Sequence, residues 1–185
     1  MNDKIAIIGL GYVGLPLAQE FSKFYKTVGY DIDAVKIKNY KLGIDKYGYL
    51  DTKNNLINKN LEFSNSLTDI ADCNIYIITV PTPITQSKEP DLSFLFSATN
   101  SVMKVLKKGD LVIYESTVYP GCTEEDCVPI LEKSKLKYNK DFFCGYSPER
   151  INPGDKKNTL TKIIKVTSGS NNTVADRVDK LYKKI

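Results

Sequence analysis

Gly9, Gly11 and Gly14 stand at spacings that can cradle a pyrophosphate. They follow the apolar run Ile5-Ala6-Ile7-Ile8 and precede an apolar-striped stretch from Val13 to Phe24. Gly9 permits a tight turn off a strand. Gly11 carries no Cβ, so a phosphate can approach the backbone, and Gly14 lets a helix pack closely on a sheet. A helix starting there offers unpaired N–H groups and a positive dipole end to an anion. A second strand, Thr27–Asp31, ends in an acid. Asp31 lies 22 residues after Gly9, near the roughly 20 expected of a ribose-binding carboxylate. Such an acid would repel a 2′-phosphate, and Asp33 adds a second negative charge, so the pattern predicts NAD rather than NADP. Lys36 either neutralises part of this site or is a solvated helix lysine.

Three further stretches carry polar groups held between prolines: Pro81-Thr82-Pro83, Ser116-Thr117-Val118-Tyr119-Pro120-Gly121 and Ser147-Pro148-Glu149-Arg150-Ile151-Asn152-Pro153. Each follows an apolar run of strand length. Prolines fix loop shape, so the Ser, Thr and Glu side chains are held in place. Any one of these loops could be turn chemistry alone. Open α/β sheets bind ligands outside the carboxyl ends of their strands, where all four stretches would converge.

The elements needed to position them read as an alternation of strands and helices. Strands are expected at Lys4–Ile8, Thr27–Asp31, Leu61–Phe63, Asn74–Val80, Leu111–Glu115, Phe142–Tyr146 and Ile163–Thr167. Asn74–Val80 is a β-branched run suited to a strand buried on both faces. Helices are expected at Val13–Phe24, Ala34–Leu42 with Gly43 beyond it, Asp51–Asn58, and Leu92–Lys107 with Asp91 as N-cap. A further helix would open on a capping-box variant, Thr123-Glu124-Glu125-Asp126, and run to about Lys133. In the last one, Val174, Val178, Leu181, Tyr182 and Ile185 share a face that the sequence leaves without a partner and that could drive a non-native pairing. This alternation predicts one α/β domain over residues 1–185, a Rossmann-type doubly wound, mostly parallel sheet with helices on both faces.

Composition narrows the function. The chain has 185 residues, 42% hydrophobic and 26% charged, as expected of a globular domain with a proper core. No apolar run approaches the ~20 residues that cross a bilayer, and no leader pattern precedes the first strand, so no membrane role and a cytoplasmic location are expected. The net charge of +4 comes from scattered lysines without an aromatic-plus-basic stripe, which argues against nucleic acid. Cys73, Cys122, Cys127 and Cys144 have no C-x-x-C spacing and the chain has no histidine, so neither a metal site nor a His-activated nucleophile is expected. Cys122, at a loop-to-helix junction, could have a lowered pKa, but reads first as a structural thiol.

Gly-Leu-Gly-Tyr-Val-Gly-Leu-Pro (9–16), Val-Pro-Thr-Pro (80–83), Glu-Ser-Thr-Val-Tyr-Pro-Gly (115–121) and Ser-Pro-Glu-Arg-Ile-Asn-Pro-Gly-Asp (147–155) together resemble the N-terminal domain of the UDP-glucose/GDP-mannose dehydrogenase family. Pro-Asp-Leu (90–92) and Cys122 after Tyr-Pro-Gly resemble its UDP-N-acetylglucosamine/UDP-N-acetylgalactosamine 6-dehydrogenase branch, which makes uronic acids for surface polysaccharides. The resemblance covers essentially the whole chain. It implies two NAD-dependent oxidations at C6 of the sugar, through an aldehyde and a cysteine thioester that water hydrolyses. It places Thr117 and Glu149 on that water. Tyr12, Val13 and Lys36 join the glycines and Asp31 around NAD, with Val80, Pro81, Thr82, Ser116 and Thr117 toward the nicotinamide. Glu149, Arg150, Ile151 and Asn152 fall where the family reaches the nucleotide sugar, although Glu149 also admits a capping or ion-pair role.

The family's nucleophilic cysteine, catalytic lysine and UDP-binding domain are matched nowhere in these residues. Its homodimer forms through a central helix that would follow them. The chain therefore reads as the NAD-binding part of such an enzyme, inactive alone. A stand-alone NAD-binding module remains the alternative, and a β-hydroxyacid-type dehydrogenase is disfavoured by the Ser-Pro-Glu-Arg-Ile-Asn-Pro loop.

Overall fold

The computed structural model describes residues 3–50, 58–150 and 160–185. Seven strands form one sheet in the order β3-β2-β1-β4-β5-β6-β7. They are β1 (Lys4–Ile8), β2 (Lys26–Tyr30), β3 (Leu61–Ser64), β4 (Ile75–Ile78), β5 (Leu111–Tyr114), β6 (Phe143–Tyr146) and β7 (Ser168–Gly169). All pair in parallel except the edge strand β7, which is antiparallel to β6. The winding reverses between β1 and β4, which opens a crevice at their carboxyl ends.

Alternate side chains of the parallel strands feed two cores, because successive residues of a strand point to opposite faces. Ile5, Ile7, Ile75, Ile77 and Ile113 pack under α1 (Gly14–Ser22), α2 (Ala34–Lys41) and α5 (Asn172–Tyr182). Ala6, Ile8, Tyr76, Ile78 and Tyr114 pack under α3 (Ser93–Met103) and α4 (Val128–Leu131). Both faces are thus covered, as parallel sheets require. No helix among the described residues is long and apolar enough to cross a membrane.

Several boundaries differ from the sequence expectation. Strand pairing in the last sheet segment is confined to Ser168–Gly169, and Ile163–Thr167 is not strand. Ile164 is 87% exposed there, so its apolar character does not mark a buried strand. The Thr123 capping box does not form: Cys122 holds the N-cap position without a side-chain hydrogen bond. Thr123–Cys127 instead makes a wide π turn, in which the Val128 N–H donates to Thr123 O. Pro129 follows and has no N–H to close a regular turn, which favours such an adjustment. Asp91 accepts the Ser93 N–H at 2.9 Å but sits one residue ahead of the N-cap position, held by Leu92, and the helix ends at Met103. The helix expected over 51–58 lies outside the described residues apart from Asn58, which is not helical.

The apolar stripe of α5 does not lie open. Val174, Val178, Leu181 and Tyr182 are buried in the first core, with Ile185 packed against it. The Tyr182 ring meets Phe21 edge-on at 5.5 Å. The unpartnered face expected from the sequence is therefore this domain's own core.

Candidate functional site

The strand register sets the site. Ile8 pairs with both Tyr30 and Ile78, Ile78 with Tyr114, and Tyr114 with Tyr146, so these strands end in one row. The next residue of each donates its N–H to a neighbouring strand. Gly9 donates to Tyr30 O at 2.8 Å, Thr79 to Ile8 O at 2.9 Å, Glu115 to Ile78 O at 2.9 Å and Ser147 to Tyr114 O at 3.0 Å. Four loops therefore leave the sheet at one level and wall a cleft of about 660 Å³, within the usual range for ligand sites.

The glycines divide their work as their spacing predicts. Gly9 takes a φ of +94°, and a Cβ on it would meet Val80 Cγ1 at 2.9 Å. A Cβ on Gly14 would lie 1.9 Å from Gly9 O and 2.5 Å from Thr79 Oγ1. That hydroxyl donates within the same turn, at 2.7 Å from Gly9 O. A Cβ on Gly11 would meet nothing within 4 Å, because Gly11 faces the cleft. α1 opens at Gly14 beneath this loop and ends at Ser22.

Asp31, 7% exposed, fixes the second wall. Its Oδ2 accepts the Leu10 N–H at 2.9 Å and the Lys36 ammonium at 2.9 Å, and its Oδ1 accepts the Asp33 N–H at 3.0 Å. Lys36 is therefore the ion-pair partner of Asp31 and not a solvated lysine. Asp33 caps α2 by accepting from Val35 and Lys36, and those N–H donors hold its carboxyl below the usual range.

Tyr12, Val13, Val80, Pro81 and Thr82 line the same cleft, as do Ser116, Thr117 and Glu149. The Ser116 hydroxyl donates to Val80 O at 2.6 Å and ties the β5 loop to the β4 loop. Thr82 Oγ1 is buried without a hydrogen-bond partner among the described residues. An open approach at Gly11, a pre-oriented acid at Asp31 and an orphan hydroxyl at Thr82 suit a dinucleotide whose nicotinamide reaches the β4 and β5 loops.

The second half of the predicted site falls only partly within the described residues. Glu149 Oε1 accepts the Arg150 N–H at 2.6 Å. Arg150 is exposed, does not line the cleft, and donates from Nη1 to Ile164 O at 3.4 Å. Ile151 and Asn152 lie outside the described residues.

The chain matches the description "UDP-glucose/GDP-mannose dehydrogenase family, NAD binding domain" over residues 3–185. It belongs to that family. A UDP-N-acetyl-D-glucosamine 6-dehydrogenase of Pseudomonas aeruginosa is 56% identical over 187 residues, which span 100% of this chain and 44% of that protein. One from Salmonella typhi is 54% identical, over 98% of this chain and 43% of its own. The structure of a UDP-D-ManNAc dehydrogenase from Pyrococcus horikoshii superposes with a TM-score of 0.88 at 33% identity, over 98% of this chain and 44% of that one. The chain thus spans less than half the length of the relatives it matches. NAD is the cofactor of this family's domain, in agreement with the acid at Asp31.

Two parts of the site escaped sequence reading. Glu115 stands in the sequence as the charged end of an apolar strand and the first residue of the 115–121 motif, with no role of its own, yet it is 1% exposed, and burial pushes its carboxyl up to about 6. Lys165 gave no signal at all, since it sits among Ile164 and Val166 like a surface lysine. It pairs with Glu115 at 2.6 Å and with Glu149 at 3.6 Å. Cys122 is a buried thiol, as its first reading had it, and the lowered pKa that a helix start could have given does not occur. Burial, with Cys127 and Asp126 nearby, pushes that thiol up to about 12. Desolvation outweighs any benefit from its place at a helix start.

Proposed function

We propose that residues 1–185 are the NAD-binding domain of a longer enzyme that oxidises C6 of a UDP-N-acetylhexosamine to the uronic acid, for surface polysaccharide synthesis. The observation that carries this reading is the meeting of Thr117 and Glu149 with the glycine loop in one cleft. NAD bound there would accept a hydride in each of the two oxidations. The two relatives more than half identical to this chain, both named as UDP-N-acetyl-D-glucosamine 6-dehydrogenases, support the choice of sugar.

The residues of this chain then divide the work. The Gly9–Gly14 turn holds the pyrophosphate on backbone N–H groups, and Asp31 accepts from the adenosine ribose. Val80, Pro81, Thr82 and Ser116 fix the nicotinamide end. Thr117 orients the water that hydrolyses the thioester, and Glu149 takes its proton. The water oxygen becomes the second carboxylate oxygen, and the thiol leaves with a proton. Arg150, Ile151 and Asn152 reach toward the nucleotide sugar. The nucleophilic cysteine is supplied from outside residues 1–185, because the four thiols here are all buried. The full-length protein is expected to be a cytoplasmic homodimer.

The test combines calorimetry on this chain with assays of the full-length protein. NAD should bind the isolated chain more tightly than NADP, and only the full-length protein should oxidise UDP-N-acetylglucosamine. Tighter NADP binding would sink the cofactor reading. Turnover by the isolated chain would sink the claim that the nucleophile lies elsewhere.

A further inference from the structure

Four side chains from separate parts of the fold form a chain of polar contacts at the cleft wall. The Tyr182 hydroxyl on α5 donates to Glu115 Oε1 at the end of β5. Glu115 Oε2 accepts from the Lys165 ammonium at 2.6 Å. The same ammonium lies 3.6 Å from Glu149 Oε2 and 5.4 Å from the centre of the Tyr182 ring. The side chains of Glu115, Lys165 and Glu149 are 0%, 9% and 7% exposed. Glu115 and Glu149 both line the cleft. One ammonium thus lies between two shielded carboxylates.

We propose that Lys165 is the positioning residue for Glu149: anchored on Glu115 and Tyr182, it holds the Glu149 carboxylate at the cleft wall as an anion able to accept a proton from water. This rests on the reading of Glu149 as the base in thioester hydrolysis.

The chemistry favours such a device. Two carboxylates this close to each other disfavour double ionisation, and an ammonium within about 4 Å of each offsets that. Glu115 takes the shorter contact and a second donor from Tyr182, which fixes where the ammonium sits. Glu149 takes the longer contact, so the cation steadies its charge without closing a tight pair that would block proton uptake. Among the described residues, Arg150 also adjoins Glu149; its guanidinium is turned to Ile164 O and its N–H is held by Glu149 Oε1. Ile164 and Val166 flank Lys165 and are exposed, so the backbone there places Lys165 inward and its neighbours outward.

The experiment compares the full-length enzyme with Lys165→Met, Lys165→Arg and Glu115→Gln, using pH profiles of kcat and of single-turnover thioester hydrolysis with UDP-N-acetylglucosamine. NAD titrations and melting curves run alongside. Loss of a cation this close should move the acid limb of Lys165→Met up by about 1 pH unit or more. Lys165→Arg keeps the cation and should bring the limb most of the way back to the wild-type position. Glu115→Gln removes a competing anion and should move the limb the other way. NAD affinity should stay within about twofold in all three, since the cluster does not touch the Gly9–Gly14 loop or Asp31. Equal limbs in folded wild type and Lys165→Met overturn the proposal, as does a loss of rate without any shift in all three variants. Should Lys165→Met fail to fold, Glu115→Gln decides: a limb moved down beside an unmoved Lys165→Arg supports the proposal, and an unmoved limb in Glu115→Gln overturns it. If the unsubstituted enzyme leaves the sugar nucleotide unoxidised, the functional reading falls. The Lys165–Glu149 coupling is then judged on the 13C carboxyl resonance of Glu149 in this chain, whose titration midpoint must rise in Lys165→Met.

Discussion

The Asp31 carboxylate accepts the Leu10 N–H and the Lys36 ammonium on one oxygen, each at 2.9 Å. The acid proposed to select the cofactor is thereby bonded to the loop proposed to hold its phosphates, and a lysine in the first turn of α2 fixes it there. Asp31→Ala should weaken NAD binding by about 10- to 100-fold, the usual worth of hydrogen bonds to a charged group. NADP should lose less, because Lys36, freed of its partner, can meet a 2′-phosphate. Calorimetry with both dinucleotides checks this, and an unchanged ratio of the two affinities would refute it.

Gly11 and Gly14 should respond oppositely to a methyl group. Gly14→Ala drives a Cβ into Gly9 O, a backbone atom with nowhere to yield, and should cost on the order of 3 kcal/mol of stability. Gly11→Ala meets open space and should leave stability within about 1 kcal/mol. Its methyl occupies the approach of the pyrophosphate, so NAD affinity should fall about tenfold or more. Urea midpoints and NAD titrations of the two variants separate the roles.

Glu149→Gln and Thr117→Ala in the full-length protein should each slow product release from the thioester by about 10²- to 10⁴-fold, the range of general-base assistance. NAD binding should persist in Glu149→Gln, whose residue is not among those expected around the cofactor. Rapid-quench or mass analysis should find the sugar held on the enzyme in Glu149→Gln. Free turnover at the wild-type rate would remove Glu149 from the mechanism.

Glu115 makes stability depend on pH with a defined sign. Burial raises its carboxyl from 4.5 to about 6, so the folded state binds that proton more tightly than the unfolded state. Its contribution is full below about pH 4.5 and is lost as pH rises through about 6. The loss amounts to about 2 kcal/mol. Glu115→Gln should flatten the urea midpoint between pH 4.5 and pH 7 by that much. A variant that keeps the wild-type slope would assign the dependence to another group.

Leu181→Ala should cost about 2–5 kcal/mol, as for other buried leucines, because α5 completes the core of this domain. Gel filtration of the unsubstituted chain should give no pairing driven by that face. A stable variant together with a dimeric chain would mean that the stripe serves another surface.

The amino-acid order alone determined the parallel core and the glycine turn that opens α1. Runs such as Ile5–Ile8 and Ile75–Ile78 are apolar on both faces, and only a strand covered by two helical layers can bury them. Gly9 and Gly14 are legible because their roles are backbone roles fixed at short range by turn geometry, and Asp31 is legible from its place just past the end of β2. Tertiary structure decided what depends on distant partners. Glu115 meets Lys165 fifty residues on and Tyr182 sixty-seven residues on, and no local pattern encodes a pair whose value comes from shared burial. The same holds for the Cys122 thiol, whose helix-start position is outweighed by desolvation, and for the α5 stripe, whose partner is Phe21 far back in the chain. Periodicity states that a face is apolar, but only packing decides what covers it.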